Sequence, residues 1–298
     1  MITENKDRKF FIFLFTVPQF VLFFIFVIYP SLNGFYLSMT NWAGFIKKPE
    51  FVGFQNLVTL FTRDTIVWKS ALNNIYFLFS VSIPVFLIAI FYSILVSRLK
   101  IKGGGFFKTV FFFPNVISVV IITIIWMYIY NPTMGIVNPI LESLGLHDWT
   151  HGWLGEKSTV MGSLTITMIW PAVGYQMMFY TAGIQNIPDS LYEAAQIEGA
   201  SEFTQIRKIT LPLLTEIIII SFSMFILQTF DGTFRYVWAM TKGGPNHASE
   251  ILATWMYQKA FDDFNFGYGA MVGVLIFVIS VTCSLIIRKI LRKKTIEY

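Results

Sequence analysis

Six apolar runs separated by polar and aromatic stretches set the pattern of this chain. They cover residues 10–28, 75–96, 107–130, 159–182, 213–236 and 267–287. Each is long enough to cross roughly 30 Å of hydrocarbon as a helix. Backbone groups in lipid must find their hydrogen bonds within the protein, so apolar runs of this length predict helices. The expected fold class is all-α: a polytopic membrane protein with six transmembrane helices in one domain, 10–287. A short N-terminus, 1–9, and a basic tail, 288–298, flank that domain. Pro18, Pro84, Pro114 and Pro171 fall inside four of the runs, which membrane helices tolerate when neighbours satisfy the freed carbonyls. The first run is too long for a removable signal peptide and lacks a small-residue cleavage site. Short helices are expected near 56–61 and 254–261, and an irregular loop over 131–158.

One interruption differs from the others. Residues 183–212 are polar and helix-prone, and lie between the fourth and fifth runs. Ser190 followed by Glu193 reads as a capping box after Pro188, starting a helix through Glu193, Ala194, Ala195 and Ile197. Gly199 is placed to end it in a left-handed turn. A second helix is expected from near Ser201, with Phe203, Ile206 and Ile209 as its apolar stripe. Pro212 suits the first turn of the following span.

Composition fits this picture. Of 298 residues, 55% are hydrophobic and 13% charged, with a mean hydropathy of +0.63; soluble domains carry about a quarter charged residues. The net charge of +5 sits at span ends rather than in an interleaved patch, so nucleic acid is not an expected partner. With both termini cytoplasmic, the inside segments hold three, four, two and five Lys or Arg and the outside segments four, one and three. Fourteen against eight favours that orientation, and it places 183–212 in the cytoplasm. Cys283, the single cysteine, lies in an apolar run and reads as a small buried hydrophobe. Chemistry is sparse. Gly103–Thr109 and Gly155–Ser158 lack the glycine before lysine that a phosphate-binding loop requires. His147 and His151 flank Asp148, but Gly145 and Gly152 argue for an irregular loop, so no metal is expected. No catalytic set shares a framework.

Glu193-Ala194-Ala195, three residues, Gly199, nine residues, Ile209, one residue, Leu211-Pro212 resembles the EAA loop of permease subunits of binding-protein-dependent ABC importers. Ile184–Pro188 and Thr241–Pro245 look like the carbohydrate-uptake branch, similar to maltose-type and glycerol-phosphate-type permeases. The resemblance implies a type I ABC importer permease fold with a cytoplasmic coupling loop. That loop would comprise Glu193, Ala194, Ala195, Ile197, Gly199, Ala200, Phe203, Ile209, Leu211 and Pro212. It also implies a second homologous permease, two ABC ATPase subunits that bind ATP and Mg, an extracytoplasmic sugar-binding protein and a carbohydrate substrate, within membrane lipid. The chain itself would bind no cofactor and catalyse no reaction.

Sugar recognition needs hydrogen-bonding side chains beside flat apolar surfaces. Candidates at suitable depth are Asn115, Trp126, Tyr130, Trp170, Tyr175, Gln176, Gln228 and Asp231. A carboxylate at mid-membrane costs about 2.5–3.5 kcal/mol on insertion scales, so Asp231 either lines a wet path or pairs with Arg235, four residues on. Glu216 reads as an interface charge. An ion-coupled secondary carrier would need a midplane ion site and internal repeats, and an intramembrane enzyme a nucleophile or metal set; neither pattern is visible.

Overall fold

The computed structural model describes residues 2–44, 48–99 and 102–292. Lys47, Lys100 and the tail beyond Arg292 lie outside the described residues, as do the side chains of Lys6 and Asp231. In chain order the helices are α1 (Ile2–Phe23), α2 (Tyr29–Ser38), α3 (Gln55–Thr62), α4 (Thr65–Ser97), α5 (Gly104–Phe112), α6 (Val119–Ile129), α7 (Val137–Ser143), α8 (Val160–Gln185), α9 (Asp189–Ile197), α10 (Glu202–Gln205), α11 (Leu211–Met240), α12 (Leu252–Tyr257) and α13 (Phe266–Arg292). Among the described residues the one strand-like pairing is an isolated bridge, Thr40 to Phe51.

The chain divides into two compact units, Met1–Asp64 with Met256–Leu275, and Thr65–Trp255 with Ile276–Tyr298. In the first, a π turn over Phe24–Ile28 joins α1 to α2, and the side chains from Arg8 to Val27 are exposed. Asn56 of α3 donates to the carbonyls of Ser38 and Thr40 at 2.9 and 2.8 Å. Those bonds satisfy backbone acceptors where α2 ends. Tyr268 donates to Asp64 at 2.7 Å.

The second unit is built on α4 and α8. Val67, Ala71, Asn74, Leu78, Val81, Val85, Ala89, Ser93 and Val96 are buried on α4, at steps of three and four that trace one helical face. Small and β-branched residues on that face admit a close neighbour. Ser93 Oγ donates to the Met177 carbonyl of α8 at 2.9 Å, and Ser80 and Thr165 meet at 3.3 Å. Tyr180 of α8 is fully buried against Phe86 of α4, and its hydroxyl meets Ser221 of α11 at 3.0 Å. At Gly174 a Cβ would stand 1.9 Å from the Phe111 carbonyl oxygen, so only glycine lets α8 approach α5 this closely.

Two expectations about the spans change. Among the described residues four helices are long and apolar enough to cross a membrane: Arg8–Ser38, Thr65–Ser97, Glu202–Phe230 and Phe266–Ile286. The run at 107–130 is not one rod. After α5 a 3-10 turn, Phe113–Val116, and the extended Ile117 and Ser118 bend the path by 101° before α6, making at most a fifth, broken span. The break follows Pro114, which lacks the amide that would continue the helical ladder. α8 has the length, 26 residues, but not the apolarity, because Ser163, Thr165, Thr167, Gln176 and Thr181 are buried along it. The other departures are at ends. α4 begins ten residues before the expected start at 75. Residues 2–9 already belong to α1, and α7 and a 3-10 turn at His147–Trp149 lie within the 131–158 loop.

Candidate functional site

The polar segment between α8 and α11 folds as two short helices about a glycine. Its first helix starts two residues earlier than the capping-box reading requires. Pro188 is the N-cap, with ψ 129° and no side-chain cap bond, and Asp189 occupies the first turn. Ser190 and Glu193 therefore lie inside α9 and form no capping box. The extended proline sets the boundary, and the Asp189 carboxylate complements the helix N-terminus. Gly199 has φ +78°, and Ala200 N–H returns to the Ala195 carbonyl at 2.9 Å, closing α9 with a left-handed turn. Ser201 caps α10 by accepting from the Thr204 amide at 3.3 Å. α10 then runs without a break through a π turn, Ile206–Thr210, into α11, so Pro212 lies within a continuous helix rather than opening a separate one.

That π turn alters which face is buried. The expected stripe of Phe203, Ile206 and Ile209 does not form. Phe203 is 73% exposed, whereas Gln205 and Thr210 are buried. On α9 the buried residue is Tyr192. Its hydroxyl meets Thr210 Oγ1 at 2.9 Å, and Arg98, just past the end of α4, lies over its ring at 3.9 Å. The Arg98 guanidinium also donates to Gln205 Oε1 at 2.5 Å, and Gln205 Nε2 donates to the Ala200 carbonyl at 2.9 Å. The outer side of the segment presents Ile197, 88% exposed, with Phe203, Leu191, Glu193 and Ala194. Gly199 and Pro212 are also exposed, while Ala195, Ala200, Ile209 and Leu211 are half-buried. One face is thus held by polar bonds, and the open side carries apolar Ile197, Phe203 and Leu191 among charged residues such as Glu193 and Glu198.

A cavity of about 470 Å³ lies among α4, the broken α5–α6 element, α8 and α11. Asn115, Tyr175, Gln176 and Gln228 line it, so four of the candidate path residues converge. Asn115 Nδ2 is anchored on the Pro171 carbonyl at 2.8 Å. Gln176 is 2% exposed, and its Oε1 has no hydrogen-bond partner among the described residues. Trp126, Tyr130 and Trp170 are not in the lining. They form an aromatic cluster, with Trp126 at 5.2 Å from Tyr130 and 6.1 Å from Trp170. Tyr130 is buried there, donating to the Ser163 carbonyl at 3.0 Å. Asp231 belongs to α11, and its side chain lies outside the described residues. Thr229, Thr233, Arg235 and Tyr236 also line the cavity and were not among the candidates. The helical steps from Phe225 through Gln228 and Gly232 to Arg235 would have found that face. Glu216 is exposed.

Residues 67–297 match the family described as binding-protein-dependent transport system inner membrane component. This chain belongs to that family. It is 36% identical to the probable ABC transporter permease protein YurN of Bacillus subtilis (strain 168), over 96% of each chain. It is 30% identical to the diacetylchitobiose uptake system permease protein NgcF of Streptomyces coelicolor, over 92% of this chain and 80% of that one. Its fold matches a chain of a bacterial ABC transporter involved in the import of the acidic polysaccharide alginate, with a TM-score of 0.85, 21% identity and 99% of both chains covered. The permease thus has the type I ABC permease fold and is a membrane component of an importer. Family membership does not favour the ion-coupled carrier.

The loop residues and the cavity give this permease two separable features. One is an exposed apolar tip, of the kind that excludes water on meeting another protein. The other is a cavity in which amide groups stand beside Tyr175 and Phe225, a mixture of hydrogen-bonding groups and flat apolar surface. Among the described residues no three His, Cys, Asp or Glu are grouped to hold a metal ion. His151 is engaged by Glu156 at 3.0 Å.

Proposed function

We propose that this permease is the membrane-spanning subunit of an ATP-driven importer for sugars of the oligosaccharide class, forming half of the path across the membrane. Six spans cross the bilayer, with α5–α6 as the bent third and α8 as the fourth, and both termini are cytoplasmic. A second, unlike permease completes the path, two ATPase subunits that bind ATP and Mg dock on the 189–210 loop, and an extracytoplasmic binding protein delivers the sugar. The names of its relatives support the substrate class, since NgcF is a diacetylchitobiose permease and the structural match imports alginate. The observation that carries the reading is the buried, unpartnered Gln176 oxygen on the cavity wall, an acceptor suited to a sugar hydroxyl. Transport then proceeds by alternating access: closure of the ATPases displaces the loop, and the helices rock about the cavity.

The test is uptake of labelled oligosaccharides by vesicles bearing the assembled transporter. Uptake should require ATP and the binding protein and should persist when ion gradients are collapsed. Reporters fused after Lys102 or Gly199 should be cytoplasmic, and those after His151 or Asn246 exported. Uptake driven by an ion gradient without ATP, or an exported Gly199 fusion, would overturn the reading.

A further inference from the structure

Among the described residues, three ties of the coupling loop to the body of the permease stand out. Two are covalent: α8 feeds α9 through residues 186–188, and α10 continues into α11. The third is made by one side chain from a distant part of the sequence. Arg98 follows the last turn of α4, where its amide still bonds the Ile94 carbonyl at 2.9 Å. The guanidinium covers the Tyr192 ring at 3.9 Å and donates to Gln205 at 2.5 Å. Gln205, itself 2% exposed, passes the connection to the Ala200 carbonyl beside the Gly199 turn. Tyr192 passes it to Thr210 at the root of α11. One cation therefore joins α4 to both short helices, the turn between them and the helix that follows.

Arginine suits this position for physical reasons. Its planar group can stack on a ring and donate in its own plane at the same time, whereas a lysine ammonium is a compact point charge without a flat face. Partial burial strengthens the charge-assisted bond to Gln205. α4 is also the helix whose buried face packs on α8 and whose Val81 lines the cavity. Movement of the loop reaches α8 and α11 through the backbone, and α4 through its packing on them, but Arg98 links the loop to the end of α4 directly.

Resting on the proposed role of the loop in ATPase docking, we infer that Arg98 is a positioning residue for transport: it carries loop displacement into α4. Without it the loop still meets the ATPase, while α4 follows it less closely and less sugar moves per ATP hydrolysed. The experiment uses the complete transporter in liposomes with ATP and sugar-loaded binding protein, and it reads sugar imported per ATP hydrolysed. Arg98→Ala and Gln205→Ala should assemble with the ATPase and hydrolyse ATP, with that ratio lowered about tenfold, as expected on removing a charge-assisted hydrogen bond. Arg98→Lys should behave more like Arg98→Ala than like the wild type, and serves in its place if Arg98→Ala does not accumulate. The double variant should be less than additive, because both changes remove the same Arg98–Gln205 bond. A wild-type ratio in the single variants, an additive double variant, or loss of ATPase co-purification in Arg98→Lys and Gln205→Ala would each overturn the inference. Gly199→Asp is measured alongside. If it fails to import while the Arg98 variants are normal, the loop keeps its role and only the link falls; if it imports normally, the docking role itself falls.

Discussion

Two polar segments attach to opposite ends of α4, and they are finished in opposite ways. Near its start, Asn73 donates to the carbonyls of Ala248 and Glu250 at 3.0 and 2.7 Å, and Asn74 accepts from Leu252 N–H at 2.9 Å. The segment they hold, 241–254, turns its polar groups inward. Glu250 is 1% exposed, bonded to His247 at 2.8 Å and to Thr254 at 2.5 Å. Near the other end, Arg98 holds the 189–210 segment just as firmly, yet Ile197 and Phe203 stand out from it. Both segments are held to α4 by polar bonds, so fixed shape alone does not mark a docking surface. What distinguishes the second is apolar area left open on a rigid frame. Such area is unfavourable in water and becomes favourable when a partner covers it.

The strongest way to break this comparison is at Gly199. Its φ of +78° strains any other residue by roughly 1 kcal/mol or more although a Cβ there would meet open space, and relief of that strain would alter the turn that sets α10 and the Phe203 tip. Gly199→Asp should insert normally but lose ATPase co-purification and sugar uptake. Unaltered co-purification and uptake would remove the docking role from this segment. Glu250→Ala should give the complementary defect. It removes the buried carboxylate that joins His247 to Thr254 within the segment. Limited proteolysis should then cut within 241–254 and uptake should fall, with the ATPase still bound. Loss of the ATPase instead would mean that the two ends are not independent.

A smaller effect is expected between the two segments, at the cavity. Gln176→Leu removes a buried acceptor without an internal partner, so protein yield and ATPase association should not drop. Half-saturation for sugar should rise about three- to tenfold, the loss of one polar contact. An unchanged value would remove Gln176 from the path. The mildest effect concerns acid. The Glu156 carboxyl is held below its usual range chiefly by the Gly152 amide at 2.6 Å, and also by His151. A lowered native value means that its contribution is present above the ordinary carboxylate range and is lost as pH falls through the lowered value. Hydrogen exchange at the Gly152 amide should therefore quicken only in strong acid. Protection that begins to fade near neutral pH would contradict the assignment.

Much of this was legible before any coordinates. The apolar runs located most of the long helices, and Gly199 and Ser201 marked the turn and the second helix start, because glycine conformation and hydroxyl capping act within a few residues. What escaped was set at longer range. Pro114 was read as a tolerated interruption, whereas the extended Ile117 and Ser118 turn it into a sharp bend. A π turn shifted the face at 206–210, so polar Gln205 and Thr210 are buried where an apolar stripe was expected. Arg98 read as a span-end cation, since nothing local ties it to a glutamine 107 residues away. Arg235 was considered as a partner for Asp231 and not as a cavity residue.

The polarity of α8 has a consequence for biogenesis. The machinery that releases helices into the bilayer partitions them by apolarity, one nascent segment at a time. α8 supplies much of the buried interior but carries hydroxyls and amides along its length, so it is poorly suited to enter lipid alone. Its polar face is matched by Ser80 and Ser93 of α4, made earlier on the ribosome, and by Ser221 of α11, made later. α4 thus offers α8 polar partners that are already made when α8 emerges.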